Sequence, residues 1–241
     1  MEYLLGVLLV AIQVRCSATA LARAPHMHIP MLELPGGGQM PMSGLGLCCR
    51  PSARGDAVRH AVRDFLVKGG RHLDDAIHYE NAKEVGNGIR EAIAEGVARE
   101  EIFLTTKIPA ELTGGDYVRH VFDWHIGELG VTYVDLLLIH HPLSPYMDEL
   151  SRCGKPTRCW RETWSVYEDL RAQGRVRHLG VSNFGAEMID ELMPYVRAPI
   201  TVNQIEFHPW VLPRHWKAVQ YCHARGIAVT GYASLGSPQS R

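Results

Sequence analysis

The stretch VDLLLIHHP at residues 134–142 reads as a strand of successive apolar residues that ends in histidine. Its apolar residues do not alternate with polar ones, which is typical of a strand buried on both faces. Similar strands recur about every 30 residues, separated by amphipathic helices such as Asp56–Lys68. We predict seven such strands, at Leu45–Leu47, His72–Asp74, Ile102–Lys107, Val134–His140, Val176–Ser182, Ile200–Phe207 and Ile227–Ala233.

A repeating strand–helix series predicts a parallel sheet, which is either doubly wound or closed into a barrel. The doubly wound sheet requires a glycine-rich dinucleotide loop after its first strand. Gly44-Leu45-Gly46 begins such a loop, but Cys49 stands where the third glycine belongs. Ionisable residues instead end several strands, which is how a barrel assembles its site. We therefore predict an α/β fold of the (β/α)8 TIM-barrel type, with about seven βα units present.

Residues 31–41, MLELPGGGQMP, predict an N-terminal β-hairpin, because two short segments flank a glycine turn. A phosphate-binding loop is the alternative, but the Lys and the Ser or Thr that such a loop needs do not follow. We expect the hairpin to cover the floor of the barrel.

The composition is that of one globular domain with a sizeable core. The chain has 241 residues, of which 46% are hydrophobic and 21% charged, and its net charge is −1. No run of like charges offers a footprint for nucleic acid or for an anionic membrane. We therefore expect a small molecule as partner, with no nucleic acid and no stable membrane span.

The N-terminal segment, residues 1–24, differs from the rest of the chain. Leu4–Ile12 is apolar, and Ala18-Thr19-Ala20 has the small residues that a signal peptidase reads. The apolar run is shorter than the roughly 20 residues that span a bilayer, and Glu2 stands where a signal peptide carries Lys or Arg. Residues 1–24 are thus a signal-like leader or a disordered N-terminus, and the alternative is a start assigned upstream of the true domain. The barrel domain is expected at residues 29–241.

The six cysteines do not have the spacing of a disulfide framework, and no C-x-x-C occurs. We expect six ordinary thiols. If the chain is exported, Cys153 and Cys159 share a loop and could pair.

Three predicted strands end in a polar or charged residue, namely Asp74, Lys107 and His140, and Tyr79 follows Asp74 by five residues. A tyrosine hydroxyl, with a pKa near 10, is a poor acid at neutral pH. A neighbouring lysine lowers that pKa towards the range of efficient general acid catalysis, and an aspartate keeps the lysine charged. A neutral imidazole can donate to a carbonyl oxygen and fix its approach. The four residues therefore predict a site that reduces a carbonyl group.

The motifs around these residues resemble those of the aldo-keto reductases. The resemblance extends from about Met31 to Ser237 and keeps the motif order GRHLDDAIHYEN (70–81), LLLIHHP (136–142), GVSNF (180–184), VNQIE (202–206) and GYASLGS (231–237). It implies NADPH-dependent reduction of aldehydes or ketones to alcohols, with NADH not excluded. By this resemblance the catalytic residues are Asp74, Tyr79, Lys107 and His140.

The resemblance also implies the cofactor contacts. Ser182, Asn183 and Gln204 match residues that hold the nicotinamide carboxamide, since an amide side chain both donates and accepts. Tyr232 matches the ring that stacks on the nicotinamide. The start of the loop that crosses the pyrophosphate is matched by Ser234, Leu235, Gly236 and Ser237.

The sequence departs from the family pattern near the site. His140 and His141 are expected to line the substrate pocket, and His141 occupies a place usually taken by Trp, so that the wall is smaller and more polar. Asp75 replaces a small Ser, Thr or Cys, which adds a carboxylate able to compete for Lys107.

Two other functions remain open at this point. In the family an eighth strand follows the seventh, so the barrel of this chain is expected to be incomplete at its C-terminus. Either the chain is a fragment or an incomplete gene model, or another chain closes the barrel. A catalytically impaired barrel that binds cofactor or acts as a scaffold is therefore an alternative to the reductase.

A metal-dependent hydrolase is the third hypothesis, suggested by 13 histidines and the pair His140-His141. Neighbouring residues on a strand point to opposite faces and cannot chelate one ion, so no metal is expected. The family resemblance implies a cytoplasmic protein that is monomeric if the barrel is complete, whereas a real leader would imply a secretory or organellar one.

Overall fold

The computed structural model describes residues 29–48, 53–143 and 155–236. The signal-like leader lies outside these residues. Two strands precede the barrel, β1 (Met31–Glu33) and β2 (Gln39–Pro41). The barrel strands are β3 (Leu45–Gly46), β4 (His72–Asp74), β5 (Phe103–Ile108), β6 (Val134–Ile139), β7 (Val176–Ser182), β8 (Val202–Glu206) and β9 (Ala228–Tyr232). The helices are α1 (Gly55–Val67), α2 (Ala82–Ala94), α3 (Tyr117–Leu129), α4 (Pro156–Ala172), α5 (Ala186–Leu192) and α6 (Pro213–Ala224).

The seven barrel strands form one sheet in which each strand pairs in parallel with its neighbour along the chain. This order, with a helix or a helical turn between successive strands, confirms the predicted TIM-barrel type. Within the described residues, β3 and β9 are the edges of this sheet. All seven predicted strands exist, and their ends differ from the prediction by no more than two residues.

The predicted N-terminal hairpin is confirmed by antiparallel pairing of β1 with β2. The turn between them contains three successive glycines with positive φ, which other residues rarely adopt. The hairpin residues Leu34 and Met40 pack against side chains of the barrel interior, namely Phe103, Leu136, Leu138 and Val202. The hairpin therefore fills one end of the barrel, as a packed floor.

Two glycines of α2 set how closely the helices pack around the barrel. A Cβ atom at Gly86 would lie 2.1 Å from the carbonyl oxygen of Leu129 at the end of α3, and one at Gly88 would lie 2.5 Å from the carbonyl oxygen of Arg59 in α1. Only glycine leaves room for backbone at these distances. The loop after β4, which carries Tyr79, is thus followed by a helix fixed against both of its neighbours.

The cysteines depart from the expectation of six free thiols. Of the described cysteines, Cys48 and Cys159 are each disulfide-bonded, whereas Cys222 is a free and buried thiol. A disulfide requires two cysteines whose Cα atoms are close together in the folded chain. The spacing of cysteines along the sequence does not show which of them are close.

No helix in the part of the chain that the structure describes is both long enough and apolar enough to cross a membrane.

Candidate active site

Lys107 is the penultimate residue of β5. Its side chain binds residues at the end of β4 and in the turn that follows β4. Its Nζ donates to Asp74 Oδ2 at 2.8 Å, to the Tyr79 hydroxyl oxygen at 2.8 Å and to the carbonyl oxygen of Asp75 at 3.0 Å. The parallel register of β4 and β5 creates this group, because it pairs Asp74 with Thr105 and so brings the ends of both strands together. Three of the four residues expected to be catalytic therefore lie in direct contact.

The Lys107 side chain is completely buried. Burial by itself lowers the pKa of an ammonium group, but Asp74 and then Tyr79 offset this effect, and the net result is a raised pKa of Lys107. All three ammonium protons have acceptors, so Lys107 is held as a cation in one position.

The pKa of Tyr79 differs in direction from the sequence-based expectation. Burial raises this pKa above its ordinary value, and the opposing effect of Lys107 is the smaller of the two. Tyr79 is therefore a phenol that keeps its proton at neutral pH. Because its oxygen accepts from Lys107, its own O–H remains available to donate.

His140 completes the group from the end of β6. Its ring lies edge-on to the Tyr79 ring, with the ring centroids 6.0 Å apart. Burial, with a further effect from the Lys107 cation, lowers the pKa of His140 to about 2. The imidazole is neutral at any physiological pH and can offer an N–H to a ligand without carrying a charge.

A second set of predicted site residues lies on the neighbouring strands β7 to β9. Gln204 Nε2 donates to Asp74 Oδ1 at 2.8 Å, and Ser182 Oγ donates to the carbonyl oxygen of Gln204. The Tyr232 hydroxyl donates to Asn183 Oδ1 at 2.8 Å, and Asn183 Nδ2 donates to the carbonyl oxygen of His140 at 3.0 Å. These four residues thus form one continuous rim that begins at the Asp74–Lys107 pair.

His141 lies on the exposed side of the same rim. Its ring stacks on that of His140 at 4.6 Å between centroids, and its Nδ1 lies 3.1 Å from Asn183 Nδ2. The ring centroid of His78 lies 5.6 Å from that of His140, and His78 Nε2 lies 2.6 Å from Glu111 Oε1. Three imidazole rings, those of His78, His140 and His141, therefore lie next to one another beside the Tyr79 ring.

The loop after β9 is only partly described. Ser234 and Leu235 are exposed, and Gly236 has a positive φ that closes a turn through its N–H to the carbonyl oxygen of Ala233. Ser237, the remaining residue predicted for this loop, lies outside the described residues.

Asp75 does not compete for Lys107 with its carboxylate, contrary to the sequence-based expectation. The side chain lies on the outer face of the sheet, where Oδ2 accepts from Thr106 Oγ1 at 2.9 Å and lies 2.7 Å from His125 Nε2. His125 was not predicted from the sequence as a partner of Asp75. Its spacing of seven residues from the buried Val118 on α3 was a usable signal, since it places a polar ring on the core-facing side of that helix.

Among the described residues, no group of three or more His, Cys, Asp or Glu side chains is arranged to hold a metal ion.

A parallel (β/α) barrel with tyrosine, lysine, aspartate and histidine grouped at the carboxyl ends of its strands has the architecture of the aldo-keto reductases. The chain belongs to this family, because the sequence model of the aldo/keto reductase family matches residues 10–240. The chain spans about two thirds of the length of the curated relatives that it matches.

Individual relatives support the same assignment. The chain is similar to aldo-keto reductase AKR2E4 of Bombyx mori, with 37% identity over 89% of this chain and 69% of that protein. It is also similar to the NAD(P)H-dependent pentose reductase of Pyricularia oryzae, with 32% identity over 87% of this chain and 68% of that protein. The crystal structure of the Bombyx mori AKR2E4 protein in complex with NADP superposes with a TM-score of 0.77 and 34% identity, covering 87% of this chain and 67% of that one.

Proposed function

We propose that this chain reduces an aldehyde or ketone to an alcohol with NADPH, NADH not being excluded, and that residues 29–241 form the reductase domain. The observation that carries the proposal is the contact of Lys107 Nζ with both Asp74 and Tyr79 at 2.8 Å. A cation in that position stabilises the phenolate that is left when Tyr79 gives up its proton. The names of the relatives, which include NAD(P)H-dependent reductases, support the same reaction class.

The proposed roles follow from the donors and acceptors around Tyr79. Tyr79 O–H gives its proton to the carbonyl oxygen as hydride arrives at the carbonyl carbon, and solvent later returns the proton to the phenolate. His140, neutral because burial lowers its pKa, donates to the same oxygen and sets the approach of the substrate. Asp74 holds Lys107 charged and in place. No other group needs to change its charge.

The rim residues fit the nicotinamide end of the cofactor. Gln204 uses its amide nitrogen on Asp74, and its Oε1 is an acceptor suited to the carboxamide N–H groups. Asn183 and Ser182 border the same position, and Tyr232 offers a ring face next to Asn183. A bound reduced nicotinamide supplies the hydride. We propose that Ser234, Leu235, Gly236 and Ser237 contact the pyrophosphate.

The proposal is tested by titrating the purified chain with NADPH while following tryptophan fluorescence, and then by measuring turnover across a panel of aldehydes. Saturable binding with turnover would support the reductase. Saturable binding without turnover on any aldehyde would favour the alternative, a cofactor-binding or scaffolding barrel. Folded protein that binds no NADPH would contradict both functions for the chain as it stands.

We expect His141→Trp to shift substrate preference towards flat aromatic aldehydes. An indole would replace the imidazole stacked on His140 and would add an apolar wall to the mouth of the site. The gain in kcat/KM for an aromatic aldehyde over a small hydroxyaldehyde is expected to be about tenfold, since one added apolar contact contributes about 1–3 kcal/mol.

The matched control for this prediction is His120→Trp, which places the same ring on the exposed face of α3. That variant should leave the preference as it is in the parent chain. An unchanged ratio of kcat/KM values in His141→Trp would show that His141 does not border the substrate.

A further inference from the structure

A buried polar cluster lies behind the catalytic group, on the outer face of the barrel wall. It consists of Asp75 just after β4, Thr106 in β5 and His125 in α3, all completely or almost completely buried. Thr106 Oγ1 donates to Asp75 Oδ2 at 2.9 Å, and His125 Nε2 lies 2.7 Å from that same oxygen and 2.8 Å from Thr106 Oγ1. None of these side chains has a role in the proposed reaction.

Asp75 is bonded to three consecutive residues of β5. Its backbone N–H donates to the carbonyl oxygen of Thr105 at 2.9 Å, its carboxylate binds Thr106, and its carbonyl oxygen accepts from Lys107 Nζ at 3.0 Å. The plane of the Asp75 peptide therefore sets one of the three acceptors that hold the lysine ammonium. His125 fixes the side chain of Asp75 from the neighbouring helix layer.

The stability of the fold does not by itself explain why these polar side chains are buried. Asp75 Oδ1 and His125 Nδ1 are buried, and neither has a hydrogen-bond partner among the described residues. A buried pair with unsatisfied atoms costs desolvation energy that a well-packed apolar pair would not. The cluster instead fixes the positions of α3, β4 and β5 relative to one another, because its hydrogen bonds connect them at the residues next to Lys107.

We propose that Asp75 and His125 are a positioning pair that holds Lys107 in register with Tyr79 from behind the barrel wall. The inference rests on the proposed reductase function, in which Lys107 must face Tyr79. A displacement of about 1 Å of a reacting group can lower the rate up to a hundredfold, so a support outside the pocket can limit turnover. The pair touches neither substrate nor cofactor, and it acts through Lys107.

The first readout does not depend on activity. The chain has five lysines, and the other four are exposed, so Lys107 is the one whose ammonium protons are shielded from solvent. In protein labelled with ¹⁵N at lysine Nζ, without cofactor, we expect one protected ammonium resonance, assigned by its loss in Lys107→Met. Asp75→Ser and His125→Ser should each shift it or remove its protection.

The control is Asp135→Asn, which removes a buried carboxylate of β6. Within the described part of the chain, this carboxylate binds Arg99, Arg177 and the backbone N–H of Leu104, and it has no hydrogen bond with Asp74, Tyr79 or Lys107. This variant should lose stability and keep the Lys107 resonance unchanged. If Asp75→Ser or His125→Ser does not fold, Asp75→Asn and His125→Gln keep the size of each side chain and are used instead.

The second readout is steady-state kinetics. We expect Asp75→Ser to lower kcat about tenfold with little change in the KM for NADPH. The double variant Asp75→Ser/His125→Ser should be no slower than the slower single variant, because two residues that act as one unit are not additive. Additive losses in kcat, or a Lys107 resonance that neither substitution changes, would overturn the proposal. If the parent chain does not turn over, the reductase function fails, and the resonance still tests the positioning pair.

Discussion

Tyr79→Phe should abolish most of the carbonyl reduction while leaving NADPH affinity as it is in the parent chain. The substitution removes the O–H that lies against Lys107 and keeps the ring that borders His140. A general acid contributes about a hundredfold to ten-thousandfold to a rate, so we expect kcat to fall by about a thousandfold. The measurement is kcat for a reactive aldehyde together with the dissociation constant of NADPH from fluorescence.

Tyr195→Phe is the matched control, since Tyr195 is an exposed tyrosine whose ring lies under Arg161. It should have the kcat of the parent. Equal turnover by Tyr79→Phe and the parent would remove Tyr79 from the reaction. A loss of NADPH binding in Tyr79→Phe would instead mean that the hydroxyl serves the cofactor.

Lys107→Met should lower both activity and stability. The substitution leaves Asp74, whose side chain is only 17% exposed, without its cation. Loss of one partner of a buried pair costs about 3 kcal/mol, the low end of the usual range, because Asp74 keeps some contact with water and with Gln204. We expect kcat to fall at least as far as in Tyr79→Phe. Urea denaturation and steady-state kinetics measure the two effects.

The double variant Asp74→Asn/Lys107→Met separates the two effects of Lys107. It removes the unpaired carboxylate, so it should recover part of the lost free energy of unfolding and none of the lost turnover. Lys68→Met, at an exposed position just after α1, should change neither quantity. A Lys107→Met variant as stable as the parent would contradict the contact between Lys107 and Asp74.

Much of the fold was predictable because buried parallel strands leave a strong local pattern. The apolar runs before Lys107 and His140 marked β5 and β6, and the rule that parallel strands present their carboxyl ends at one rim placed Asp74 near them. The glycine turn likewise marked the hairpin. These features depend on residues that are close in sequence, and they were found to within two residues at each strand end.

The contacts between the site residues were harder to predict from the sequence than the strands were. Gln204 and Asp74 are 130 positions apart, and their 2.8 Å hydrogen bond depends on the curvature of the whole sheet. Asp75 and His125 are 50 positions apart, and they meet because α3 docks on the outside of β5. No local pattern reports either distance. The family resemblance named Gln204 and Asp74 separately, but it gave no sign that Gln204 binds the Asp74 carboxylate.

The sequence by itself determined the class of fold, because strand order and strand ends follow from local periodicity. It also predicted that Asp74, Tyr79, Lys107 and His140 lie together at the carboxyl ends of the strands. Only the tertiary structure decided their electrostatics. Lysine next to tyrosine predicted a lowered pKa of Tyr79, whereas burial outweighs that attraction and the pKa is raised. Desolvation is a property of everything packed around a group, and that quantity exists only once the chain has folded.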